Sequence, residues 1–363
     1  MLVCDERNSP ISELLRGIMM KGEGQIYTNL PAGLGGFGGE ARTDEGAPST
    51  GFEDYWRWRL IRSERGGQAY WDEWVEYAEE RFQAVHDSLK TTAGDASYEP
   101  QYLFNLAKGY WHQMLRCYSR GDAVSQIARY FPPLLDAWEE AERLGKSVWT
   151  EKQQYTRHAW AVNLDHYIVC FWLVGFALVL DIPDEHWNRL LQLIGNEGED
   201  ELLDRVIASR QAGRQIGTRL CHPQPYRRLL EAANASREAQ AELLFSFVNN
   251  WYVELDRPAK KGLSDKTAMY ERPYWHRYGD ENFEGGAYFG RWCVEAVAAV
   301  KAFGIDDSLC LGHPNYPGDL LRAEGPTTHP SRPAPEGSGS GEAGETADVV
   351  KRSGWLSRLF GKS

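Results

Sequence analysis

Residues 288–320 read YFGRWCVEAVAAVKAFGIDDSLCLGHPNYPGDL, and this stretch decides the fold class. Trp292, Ala296, Ala299, Val300 and Phe303 recur at i, i+4, i+7, i+8 and i+11, which traces one apolar helix face. Gly304 supplies a left-handed residue that ends the helix, and Ile305 can fold back as its hydrophobic contact. Asp306, Asp307 and Ser308 are turn and cap residues, and Pro314 and Pro317 bar any long helix afterwards. The stretch therefore reads as a buried helix, a tight reversal and a proline-pinned loop. Glu295 borders the apolar face, where a carboxylate needs a donor or a raised pKa. A general acid or a contact for a basic partner is the functional reading; a bond to a buried Tyr, His or Arg is preferred, because buried carboxylates are usually supports.

Working outward, helical spacing recurs on both sides. Towards the N-terminus, Tyr70, Trp74, Tyr77 and Phe82 form a stripe, with Asp72, Glu73, Glu76, Glu79 and Glu80 mostly off it. After Pro100 come Tyr102, Leu106, Tyr110, Met114 and Tyr118, broken at Gly121. Asp122 is expected to cap the next helix (Val124, Ile127, Phe131, Leu135), which Pro132 and Pro133 kink or interrupt. A helix over 158–180 closes this half. Its apolar run, Ile168 to Leu180, falls short of the roughly 20 residues a membrane span needs. Two helices are expected around an acidic turn at 196–200, followed by Arg205, Arg210, Arg214 and Arg219 as solvated partners. Leu244, Phe247, Val248, Trp251 and Leu255 share one later face. The sequence thus predicts an all-α protein of two packed helical domains, 52–183 and 184–322. A flexible glycine-rich leader (1–50), a disordered linker (323–350) and a short basic amphipathic tail (351–363) flank them.

Three groups of residues carry a family resemblance. They are Tyr288 to Ala296 with Ile305 to Ser308 and His313 to Leu320, the turn Tyr118-Ser119-Arg120-Gly121-Asp122, and the pair Trp251-Tyr252. Together they resemble PoNi-type immunity proteins, the bacterial antidotes to PoNe DNase toxins of type VI and other polymorphic secretion systems. Arg291 departs from the family pattern, which has an aromatic there. The resemblance covers about 52–322, and it implies an all-α, non-enzymatic inhibitor that binds and occludes its DNase. Its motif residues Tyr118, Arg120, Trp251, Tyr288, Trp292, Glu295, Asp306, Asp307, His313, Tyr316, Pro317 and Asp319 are expected to mark fold rather than contact.

Composition agrees with such a role. Forty basic and 52 acidic residues leave a formal charge of −12, which disfavours nucleic acid and anionic membranes as ligands and favours a basic protein partner. The expected contacts are the acids Glu197, Glu199, Asp200, Asp280, Glu281 and Glu284. Six scattered cysteines without a CxxC pair, and no secretory signal, read as reduced thiols in the cytoplasm. Nine dispersed histidines show no metal spacing; a His158/His166 pair on one helix is separated by more than two turns. Asp306-Asp307 diverge as neighbours, so capping is preferred to a metal site. Gly33-Leu34-Gly35-Gly36-Phe37-Gly38 matches GxGxxG without the strand and helix that dinucleotide binding requires. No cofactor or metal is expected. Two other classes stay open: an α/α-toroid glycosidase-like enzyme with aromatic sugar sites, and a scaffold whose 351–363 tail weakly touches a membrane or a partner groove.

Overall fold

The helix opened by Val294 sits at the centre of the molecule, and its closest neighbour is the apolar run expected to be a core helix. The computed structural model describes residues 61–91, 97–256 and 273–332. The leader, its GxGxxG-like loop and the 351–363 tail lie outside them. Among the described residues the regular structure is helical, with no strand.

The first half opens with four helices: α1 (Gln68–Thr91), α2 (Glu99–Arg120), α3 (Val124–Ile127) and α4 (Phe131–Val148). The face of α1 carrying Trp71, Val75, Ala78, Phe82 and Val85 is buried, and α1 packs on α2, which in turn packs extensively on α4. Of the two outcomes expected for Pro132 and Pro133, the structure has the interruption rather than a kink: α3 stops at Ile127 and a 3-10 turn, Ala128–Tyr130, leads into α4. The two prolines occupy the first positions of α4, where a missing N–H removes no intrahelical bond. Nor does Asp122 cap α3, whose cap position is Ala123; both oxygens of Asp122 are held by Arg120, at 2.7 Å each.

The helix expected over 158–180 is two. Helix α5 (Glu151–His158) starts at Thr150 with a capping box closed by Gln153 and stops at His158. Helix α6 (Leu164–Val179) restarts at Asn163, whose side chain accepts from the His166 N–H at 3.1 Å. His158 and His166 therefore lie on different helices and meet edge to face at 5.4 Å.

The second half comprises α7 (Asp184–Ile194), α8 (Glu201–Ala208), α9 (Pro223–Asn234), α10 (Arg237–Glu254), α11 (Trp275–Glu281) and α12 (Val294–Phe303). On α10, Leu244, Phe247, Val248, Trp251 and the following Leu255 are all buried, as their spacing predicts. Helix α12 begins after Trp292, which precedes it rather than riding on its face, and ends at Gly304 with φ +66° as the helix-stop reading requires.

Every residue from His166 to Leu178 and from Val294 to Val300 is buried, so α6 and α12 form a central pair surrounded by the other helices. One continuous hydrophobic cluster runs from Val75 on α1 to Leu320 and so joins both halves. None of the described helices is long and apolar enough to cross a membrane.

The α6–α12 contact depends on Gly175. A Cβ added there would stand 2.9 Å from Val294 Cγ1 and 3.1 Å from the Ala298 methyl, both locked in the core. Alanine improves helix propensity by about 1 kcal/mol, whereas overpacking a filled core costs about 1–3 kcal/mol. Gly175→Ala is therefore expected to destabilise the protein by roughly 1–2 kcal/mol, seen as a melting temperature several degrees lower. An unchanged or higher melting temperature would show that the central pair has room to spare.

Candidate protein-binding face

Of the motif residues, Tyr118, Tyr288, Trp292 and Asp319 lie at the seam between the two halves. Helix α2 ends at Gly121, and its last turn is clamped by Arg62, which donates to the carbonyls of Tyr118 at 3.1 Å and Asp122 at 2.9 Å. The same guanidinium lies over the Tyr118 ring and bonds Asp319 at 2.6 Å. Trp292 meets Tyr118 edge to face at 4.9 Å and donates its indole N–H to Ser119 Oγ at 2.7 Å; that hydroxyl in turn donates to the Phe289 carbonyl. Tyr288 packs on Trp71 and accepts from Tyr70 through its carbonyl.

Asp319 gathers Arg62, Thr327 Oγ1 and both the N–H and hydroxyl of Thr328. Burial pushes this carboxyl up, but those donors outweigh it and hold it below the usual carboxylate range. Residues 323–332, expected within a disordered linker, are therefore fixed. His329 is buried against Trp292 and hydrogen-bonds the Tyr118 hydroxyl at 2.9 Å, and Arg332 donates to the carbonyls of Gly66 and Glu64. Composition misled here because one acidic side chain supplies the acceptors that the segment needs.

Of the turn residues, Asp306 behaves as expected, accepting from the N–H and hydroxyl of Ser308. Asp307 is buried, accepting from Tyr316 at 2.6 Å and from Arg322. His313 Nδ1 accepts from the Asn315 N–H, and Pro317 precedes the short 3-10 turn Gly318–Leu321.

Glu295 is the most enclosed acid, with no exposed surface. It receives Trp172 Nε1–H from α6 at 3.1 Å, the Tyr226 hydroxyl from α9 at 2.9 Å and Trp251 Nε1–H from α10 at 3.1 Å. All the donors are neutral. Burial pushes the carboxyl up to about 7, while the three donors pull the other way. Its place on α12 and its partners make it a support linking four helices.

The acids expected to make contacts divide sharply. Asp200 is not on the surface. It is fully buried, caps α8 by accepting from Leu202 and Leu203 N–H, and also accepts from Cys221 N–H and the Tyr167 hydroxyl. Four acceptor bonds, not solvation, occupy this carboxylate. Asp204 and Arg214, expected as solvated charges, form a buried pair at 2.8 Å. Glu197 and Glu199 are exposed, yet Glu197 accepts from the Gln215 N–H and Glu199 faces Arg219 at 3.8 Å. Asp280 is bridged by Arg65 and Arg291, the residue that departs from the family pattern and that lies over the Tyr252 ring. Glu281 and Glu284 are exposed, and no described residue hydrogen-bonds or ion-pairs with them.

A shallow recess, with room for little more than a water molecule, opens among Tyr252, Trp275, His276, Tyr288 and Arg291, with Asp280 the one carboxylate on its wall. A glycosidic bond would need two facing carboxyl groups. Among the described residues no group of three His, Cys, Asp or Glu side chains is placed to hold a metal ion.

These features define a helical protein in which Tyr118, Trp292, Glu295, Asp307 and Asp319 are bonded internally, while Glu281 and Glu284 stand exposed without a described partner. The chain belongs to the PoNe immunity protein (PoNi) family: the N-terminal family model matches residues 62–192 and the C-terminal one residues 198–320. It is thus an immunity protein for a nuclease toxin. The fold is similar to the crystal structure of protein PA2201 from Pseudomonas aeruginosa, at 21% identity and a TM-score of 0.50 over 75% of this chain and 95% of that one. No curated protein matches the chain.

Glu295→Gln tests the support. The amide oxygen can still accept from Tyr226 and Trp251, but its NH₂ then faces the Trp172 donor, an expected loss of about 1–3 kcal/mol. A carboxyl whose folded pKa is raised lends stability that is complete below the unfolded value of 4.5 and disappears as pH rises through about 7. Glutamine has no such dependence. The stability gap between wild type and variant, read by chemical denaturation at pH 5 and pH 8, should therefore narrow as pH rises. A constant or widening gap would mean that Glu295 is not the group titrating there.

Proposed function

We propose that this protein neutralises a DNase toxin by binding it one to one and covering its DNA-binding surface, in the cytoplasm of a bacterium that uses a type VI or related secretion system. The family membership carries this reading, and the charge supports it. A DNase must attract phosphate and so presents lysine and arginine, while this chain carries twelve more acids than bases. Opposite potentials speed encounter and reject wrong partners. The role is inhibition without chemistry: the motif carboxylates Glu295, Asp307 and Asp319 are spent on internal bonds. Contacts are drawn from exposed acids without an intrachain partner, which among those named from the sequence are Glu281 and Glu284; Glu197 and Glu199 are engaged by Gln215 and Arg219, and Asp280 stands behind its two arginines.

Titrating the purified protein into DNA cleavage by the nuclease encoded beside it should abolish cleavage sharply at one equivalent and give a single complex on size exclusion. Continued cleavage with no complex would sink the proposal.

A further inference from the structure

Helix α1 carries Asp72, Glu73, Glu76, Glu79, Glu80 and Asp87 against only Arg81 and Lys90. The fold uses some of these acids. Asp72 is held by Arg120 and Gln68, and Glu79 accepts from Gln113 and Tyr130 and faces Arg129. Glu73, Glu76 and Glu80 are different. They lie on the side of α1 opposite Trp71, Val75 and Phe82, are exposed, and have no hydrogen-bond or ion-pair partner among the described residues. Their spacing of three and four places them in one row about 10 Å long. Like charges so spaced cost a helix a few tenths of a kcal/mol per pair, and no cation among the described residues is paired with them to offset that.

An aromatic flank runs beside the row. Tyr77 is 40% exposed and meets Trp74 edge to face at 5.4 Å, and Trp74 lies against Gly286. Tyr70 stacks on Phe283 at 4.2 Å. These contacts bring the turn Phe283–Gly286 to the side of α1, and with it the two unpartnered acids from the second half, Glu281 and Glu284. Five exposed carboxylates without a described partner, from two separate stretches of chain, thus lie along one side of the molecule whose aromatic strip of Tyr70, Trp74 and Phe283 continues to the exposed Tyr77.

We infer that this face, the outer row of α1 with Tyr77 and the Glu281/Glu284 turn, docks the basic phosphate-binding surface of the nuclease. The inference rests on the immunity reading and selects one surface within it. Tyrosine is a favoured interface anchor, with large contact area and few torsions to freeze. The surrounding carboxylates match lysines and arginines that a nuclease must display. The competing acidic turn at Glu197 and Glu199 is occupied by Gln215 and Arg219 of the same chain.

The test measures association of the full chain with a catalytically inactivated cognate nuclease over a range of salt concentrations. It compares wild type, Glu73→Gln/Glu76→Gln/Glu80→Gln, Tyr77→Ala and Glu197→Gln/Glu199→Gln. The triple variant should associate about 10-fold or more slowly at low salt and show a flatter salt dependence, Tyr77→Ala should dissociate faster, and the Glu197/Glu199 variant should stay within about 2-fold. The triple variant should melt like wild type, because none of its three substituted carboxylates has a partner among the described residues. Wild-type binding that the α1 substitutions leave unchanged would overturn this face alone. A dimer of the chain that these substitutions dissolve, with nuclease binding intact, would also overturn it by naming a second copy as the occupant. No binding by wild type would instead overturn the nuclease reading itself.

Discussion

A carboxylate with no cation beside it fixes the middle of this protein. Glu295 cannot be solvated and has no arginine or lysine to face, so its charge is tolerated only while neutral N–H and O–H donors point at it. Those donors come from α6, α9 and α10, and indole nitrogens can only donate. The three helices must therefore hold their positions about α12 together. A purely apolar centre would pack in several registers at similar energy. Bonds of fixed direction to one shared acceptor select a single arrangement, with apolar burial supplying most of the stabilisation.

The seam is fixed by a similar division of labour. Arg62, Tyr118, Trp292 and Asp319 are far apart in sequence yet share one cluster, and each of these side chains has a named hydrogen-bond partner in it. Here a true ion pair is used, and it is nearly buried on both sides, at 10% and 5% exposure. Breaking such a pair by removing one partner is costly because the other charge is stranded. Arg62 also caps the end of α2, so the chain entering α1, the end of α2 and the segment after α12 are positioned by one guanidinium.

Much of this was legible in the sequence. Gly304 announced the end of α12, and the apolar spacing on α10 named its buried face, because both signals are local. The failures have physical causes. Trp292 continues the helical period of α12 by coincidence, while its indole is needed at Ser119 before the helix begins. The break at 159–163 contains neither glycine nor proline, and Asn163 as a cap was the available sign. Asp200 and Asp204 looked like surface charge because they sit among other acids. Asp200 followed by Glu201-Leu202-Leu203 is nevertheless a helix start, and a buried arginine ten residues beyond Asp204 cannot be inferred from spacing. That Glu281 and Glu284 lie outside was readable; that α1 lies beside them was not, since Tyr70 and Phe283 are separated by more than two hundred residues.

The distribution of negative charge follows from the same accounting of partners. Where an acid serves the fold, a donor is always present: Arg214 for Asp204, Arg322 for Asp307, Arg62 for Asp319. Folding therefore has no use for the carboxylates of Glu73, Glu76 and Glu80, which repel one another on a helix that its buried face already stabilises. Solubility requires net charge but not a row of it, and mixed signs serve solubility as well at lower cost to the helix. A concentrated field of one sign is instead what long-range attraction of an oppositely charged protein requires, since potentials add along a row and are screened within about 10 Å at moderate salt. An antidote must meet its nuclease before DNA does. For that contest the rate of encounter matters as much as the depth of the final contact, and unpaired surface charge sets the encounter rate.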